Sequence, residues 1–71
     1  MFDKDSFCRA VTAKGLTLDQ LAIEIGMNYT TLYRKMYGIS DFTRAEIKNI
    51  RRILRLTPAD ADKIFFADKL A

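Results

Sequence analysis

Between Asn28 and Gly38 the chain carries Thr30, Thr31, Tyr33, Arg34 and Tyr37, with Lys35 among them and no carboxylate in the segment. These side chains suit hydrogen bonding to nucleic acid. A guanidinium such as Arg34 can bond a guanine edge bidentately, threonine can donate, accept or meet a thymine methyl, and a tyrosine hydroxyl can reach phosphate or sugar. With no acidic group here, nothing on the segment repels a phosphate backbone. The competing reading is the ordinary polar outer face of a small α-domain, so the weight falls on the elements that position these residues.

Chemistry of other kinds has little to work with. The chain has no His, and its single Cys8 can form neither an internal disulfide nor a Cys-His pair for catalysis or zinc. Cys8 reads as a small packed residue of the first helix. No Gly-rich phosphate loop is present, no Ser lies beside a base in a recognisable motif, and the carboxylates are scattered. No catalytic residue, metal, cofactor or small-molecule ligand is expected.

Leu18, Leu21, Ala22 and Ile25 recur at helical spacing, and Gly26 then supplies a residue that accepts positive φ where a helix must stop. Asn28 can start a second helix, over about Tyr29 to Tyr37. The segment from Thr17 to Gly38 therefore reads as a helix-turn-helix. At 100° per residue, Leu32, Met36 and Tyr29 lie within about 60° of one another as an inward stripe. Thr30, Thr31, Tyr33, Arg34 and Tyr37 are left outside, and small Ala22 lets the two helices cross closely.

Upstream, Ser6 can cap a first helix that places Phe7, Ala10, Val11 and Lys14 on one side and ends at Gly15. Thr17 and Gln20 make a capping box for the second helix, with Asp19 in its first turn; Thr43 and Glu46 repeat the box for a fourth helix running to about Leu54. Phe42 is expected to tuck against the core. Ile47, Ile50, Ile53 and Leu54 face inwards, leaving Lys48, Arg51, Arg52 and Arg55 mainly outside. Thr57-Pro58-Ala59-Asp60 announces a fifth helix, expected to continue through Ala61, Ile64, Phe65 and Phe66 to Leu70. Phe66 and Leu70, four apart, would form a second apolar strip, covered either by the same monomer or by a second copy. The reading is an all-α, compact five-helix bundle in which residues 1–71 form one domain.

At 71 residues there is room for one modest core. No apolar run approaches a membrane span and the N-terminus lacks a signal-peptide pattern, so a cytoplasmic protein is expected, without a membrane partner. Net charge is +3, but it is unevenly spread. Residues 28–55 hold seven cations against two carboxylates, a net +5, while the segments on either side each carry −1. The positive field is concentrated on the recognition segment and the helix after it. Arg44, at a helix start where free backbone N–H groups lie beside the side chain, is the first candidate there for a phosphate, and Lys48 the second.

With Leu-Thr-Leu-Asp-Gln-Leu-Ala-Ile-Glu-Ile-Gly-Met at 16–27, Asn-Tyr-Thr-Thr-Leu-Tyr-Arg-Lys-Met-Tyr-Gly at 28–38 and the tail at 56–67, the chain resembles the Cro- and lambda-repressor-like helix-turn-helix family, also called Xre, over about residues 5 to 66. The resemblance implies a bundle of four to five helices that binds operator DNA as a dimer and controls transcription. By position it puts base contacts at Tyr29, Thr30 and Arg34. The neighbouring Thr17, Gln20, Asn28, Thr31, Tyr33, Lys35, Tyr37, Arg44 and Lys48 are expected to contact the backbone or support the interface, and Phe66 and Leu70 to form the dimer contact. Two positions depart from the pattern: Leu18 stands where many relatives place glutamine, and Tyr37 where Asn often precedes the glycine. The expected function is a double-stranded DNA-binding regulator, a repressor acting as a homodimer at least on DNA. The alternative is a protein-interaction module on the same scaffold, an antitoxin-like or anti-repressor partner. A non-specific architectural binder is the third reading.

Overall fold

Five helices succeed one another in the computed structural model, which describes residues 2–67: α1 (Lys4–Ala13), α2 (Leu18–Glu24), α3 (Tyr29–Met36), α4 (Arg44–Leu54) and α5 (Pro58–Phe65). No strand occurs among the described residues. The radius of gyration, 11.0 Å, matches the ~11 Å expected of a compact chain of this length. No helix among the described residues is long and apolar enough to cross a membrane.

Local chemistry explains most of the boundaries. Thr17, Thr43 and Thr57 each accept from the backbone N–H three residues on, while Gln20, Glu46 and Asp60 reach back to the N–H of the capping threonine. Asn28 caps α3 by accepting from the Thr30 N–H at 2.8 Å. α1 begins earlier than the sequence suggests. Asp3, not Ser6, is its cap: Asp3 accepts from the Ser6 N–H at 3.1 Å, and the Ser6 hydroxyl donates to its other oxygen at 2.7 Å. Those two bonds hold the Asp3 carboxyl below its usual value. α5 stops at Phe65, short of the predicted Leu70, because Phe66 leaves helical geometry at φ −130, ψ 39. Leu70 itself lies outside the described residues.

Gly26 ends the turn between α2 and α3 at φ +70. Its N–H donates to Ile23 O and the next N–H, of Met27, donates to Ala22 O, so two otherwise open carbonyls of α2 are satisfied while the chain reverses. Four residues, 25–28, separate the two helices. At the end of α4 the left-handed position is instead filled by Arg55, at φ 53.

Phe7, Val11, Leu21, Ala22, Leu32, Met36, Ile50, Leu54, Ala61, Ile64 and Phe65 form one buried cluster to which every helix contributes. Phe42 packs against it as the sequence predicts, with its ring 5.2 Å from Phe2 and 5.4 Å from Phe65. The N-terminal segment is held there by the Asp3 N–H donating to Ile64 O at 2.7 Å. Cys8 is half-buried against this core.

Candidate nucleic-acid interface

α3 is fixed from within by Leu32 and Met36, 0% and 4% exposed. Tyr29 does not complete that stripe. It is 40% exposed at the first position of α3, which places it with the outward set. Thr30, Thr31, Tyr33, Arg34 and Tyr37 are all exposed. Relative to the buried stripe, a 100° rotation per residue puts Arg34 about opposite the core, with Thr30 and Thr31 to either side of it. Arg34 therefore forms the outermost ridge, and its side chain has no ion-pair partner among the described residues. The two flanks of the helix are built quite differently.

On the flank towards α4, Lys35 is drawn inwards. Its Nζ donates to Glu46 Oε1 at 3.0 Å and to Asp41 O at 2.8 Å, and its side chain is only 10% exposed. The Phe42 ring, 6.0 Å away, lies at the limit of cation–π range. Burial pushes the Glu46 carboxyl up, but bonds from the Thr43 N–H and Lys35 together outweigh it and hold the group below its ordinary value. Lys35 is thus a supporting residue that ties α3 to the cap of α4. Much of its charge is neutralised there.

On the opposite flank Tyr29, Tyr33 and Tyr37 run at four-residue intervals as a ladder, with ring centroids 5.8 Å and 4.6 Å apart. The hydroxyls of Tyr33 and Tyr37 are 3.0 Å apart and hydrogen-bonded. From α1, Lys4 Nζ donates to the Tyr37 hydroxyl at 3.2 Å and sits 4.6 Å from its ring centroid. The bonds with Tyr33 and Lys4 pull the Tyr37 hydroxyl below the usual phenolic value. The reciprocal bonds to Tyr37 push Tyr33 up and raise Lys4 above the ordinary lysine value. Lys4 therefore stays an ammonium at neutral pH.

The remaining sequence candidates fall around this helix. Thr17 and Gln20 are exposed but engaged in the α2 cap, with bonds of 3.1 Å and 2.8 Å between them, and Asn28 caps α3. Arg44 is the exposed first residue of α4. Lys48 is exposed beside Ala45, Asn49 and Arg52 on an open depression, where Arg52 donates to Asn49 at 2.6 Å. Arg51 is not mainly outside as the sequence suggests. It is half-buried, and its Nε has no hydrogen-bond partner among the described residues. Phe66 is 37% exposed at the end of α5.

Lys4 is invisible to sequence reasoning, since it stands 33 residues from Tyr37 with no local pattern linking them. The tyrosine ladder has a signal, the i, i+4, i+8 spacing of one residue type. Among the described residues no group of three or more His, Cys, Asp or Glu side chains gathers where it could hold a metal ion. No protein-family model matches the chain, and no curated protein matches it.

Proposed function

We propose that the chain is a sequence-specific, double-stranded DNA-binding transcriptional regulator, a repressor, that inserts α3 and its C-cap, residues 29–37, into the major groove. One observation carries the reading. The face of α3 opposite its buried stripe is an exposed ridge of Arg34, Thr30 and Thr31 with no carboxylate, mounted on a helix whose other sides are held by packing, an ion pair and a tyrosine ladder. Preorganised donors and acceptors on a rigid helix are what direct readout of base edges requires. In this reading Arg34, Thr30 and Tyr29, exposed at the helix start, contact bases. Arg44 and Lys48 supply phosphate contacts. The protein acts as a homodimer on an operator in the cytoplasm, with Phe66 and Leu70 in the contact between copies. The resemblance to the Cro- and lambda-repressor-like proteins supports the same reading.

The test is selection of duplexes from a randomised library by the purified protein at near-physiological salt. Enrichment of a two-fold symmetric site with half-sites about 10 base pairs apart is expected. Ile23 and Ile39, 77% and 73% exposed, favour the second reading, a protein-interaction module. A folded protein that enriches no sequence would transfer the conclusion to that reading or to sequence-independent binding.

A further inference from the structure

Among the described residues, Lys4 is the cation that α1 brings onto α3. It donates to the Tyr37 hydroxyl at 3.2 Å, and that oxygen also lies 3.0 Å from the Tyr33 hydroxyl. An ammonium has three donor hydrogens, so one directed at Tyr37 leaves two for another acceptor. If Tyr37 accepts from both neighbours, its own O–H proton is directed away from them. The cluster then offers hydrogens from two elements to one point in solvent, with Tyr33 and Tyr37 43% and 50% exposed. Tyr33 stacks on Tyr29 and meets the tilted Tyr37 ring at 4.6 Å, which with the bond between them holds the two hydroxyls, so little order has to be created on binding. Asp5 is the carboxylate that adds to the positive-favouring field on Lys4, yet no hydrogen bond joins it to the cluster among the described residues.

Convergent donors around an ammonium recognise an oxyanion. Position decides which one. The cluster sits at the C-terminal end of α3, on the flank beside the Arg34 ridge. A helix whose ridge faces base edges has a row of phosphates along each wall of a groove about 12 Å wide.

We propose that Lys4, Tyr33 and Tyr37 form a clamp for a single backbone phosphodiester of the bound duplex, which sets the depth and rotation of α3 in the groove. The inference rests on the DNA-binding reading and adds to it a residue, Lys4, from outside the helix-turn-helix. One non-bridging phosphate oxygen takes the Lys4 ammonium and the other the Tyr37 hydroxyl. Phosphate contacts of this kind position a protein without reading sequence. Loss of the clamp therefore weakens all sites alike.

The experiment measures affinity of the selected duplex against salt for the wild type, Lys4→Gln, Lys4→Arg and Tyr37→Phe, with helicity checked by circular dichroism. Lys4→Gln is expected to make the slope of log K against log salt shallower by about 0.9, so that the wild-type advantage changes by about three- to fourfold between about 50 and about 200 mM salt. Lys4→Arg keeps the slope. Tyr37→Phe weakens binding without altering the slope, because a neutral hydroxyl releases no counterion. A scan of single neutral methylphosphonates along the duplex should find one position that lowers the wild-type slope and leaves that of Lys4→Gln unchanged. A folded Lys4→Gln protein that binds the selected duplex with the wild-type slope overturns the clamp and leaves the regulator standing. If free inorganic phosphate competes at millimolar concentration while no methylphosphonate position matters, the site takes phosphate but not the duplex, and the clamp is again overturned. Failure of the wild type to select any duplex removes the regulator and the clamp with it.

Discussion

The two flanks of α3 each hold one lysine, and they use it in opposite ways. Lys35 meets a carboxylate and a carbonyl, is nearly covered, and serves to lock α3 against the start of α4. Lys4, half-buried, meets a phenol hydroxyl and has no carboxylate at ion-pair distance among the described residues. A count of cations along the chain makes the first count towards a basic field and leaves the second outside it, because Lys4 belongs to the N-terminal segment of net −1. Charge available to a partner depends on what a cation is paired with, not on where it falls in the sequence.

Replacing Leu32, which is wholly buried between the flanks, should break both at once. Leu32→Ala is expected to cost about 2 to 5 kcal/mol in denaturant unfolding, enough to leave a small domain largely unfolded at moderate temperature. The next largest effect lies on the ridge between the flanks. Arg34→Ala should lose about 1 to 3 kcal/mol of binding at a single operator position while leaving stability alone. Equal loss on every sequence would show that Arg34 is only another phosphate contact.

Glu46→Gln opens the closed flank, with an expected loss of about 1 kcal/mol at neutral pH. The depressed carboxyl sets the sign with pH. Its contribution is complete above the ordinary value of 4.5 and is lost as pH falls through the lower value it has in the fold. Unfolding midpoints of the variant should therefore fall less steeply below pH 4.5 than those of the wild type. Asp3 contributes in the same direction, below its ordinary value of 3.8. Once its carboxylate partner is gone, Lys35 should also steepen the salt dependence of DNA binding, bringing the two flanks closer in character. Smallest is Arg44→Ala, expected to weaken all sites evenly and reduce the salt slope by about 0.9. No change in slope would assign the phosphate contacts of that side elsewhere.

Much of the architecture is legible in the chain because it is written within three or four residues. Thr17 with Gln20, Thr43 with Glu46 and Thr57 with Asp60 each name a helix start, and Gly26 names the turn. Where two cap formers stand three apart, as Asp3 and Ser6 do, the local code is satisfied in either register. The earlier one prevails as Asp3 also ties its N–H to Ile64. Angle alone puts Tyr29 in the core, and angle cannot register how much of a helix end its neighbours cover; Tyr29 is left 40% exposed. Candidate site residues on the ridge are visible from periodicity. The pairing of Lys35 with Glu46, and of Lys4 with Tyr37, spans 11 and 33 residues and exists only after the helices pack.

The reciprocal caps also bear on how quickly the molecule assembles. Helices of 7 to 11 residues are too short to persist in isolation, yet their starting points are marked by side chains that need no distant partner. Each segment can therefore flicker in and out with its boundaries already correct. The slow search is confined to docking Phe7, Leu21, Leu32, Ile50 and Phe65 on one another. Such a bundle, dominated by nearby contacts, belongs among chains that fold in microseconds to milliseconds.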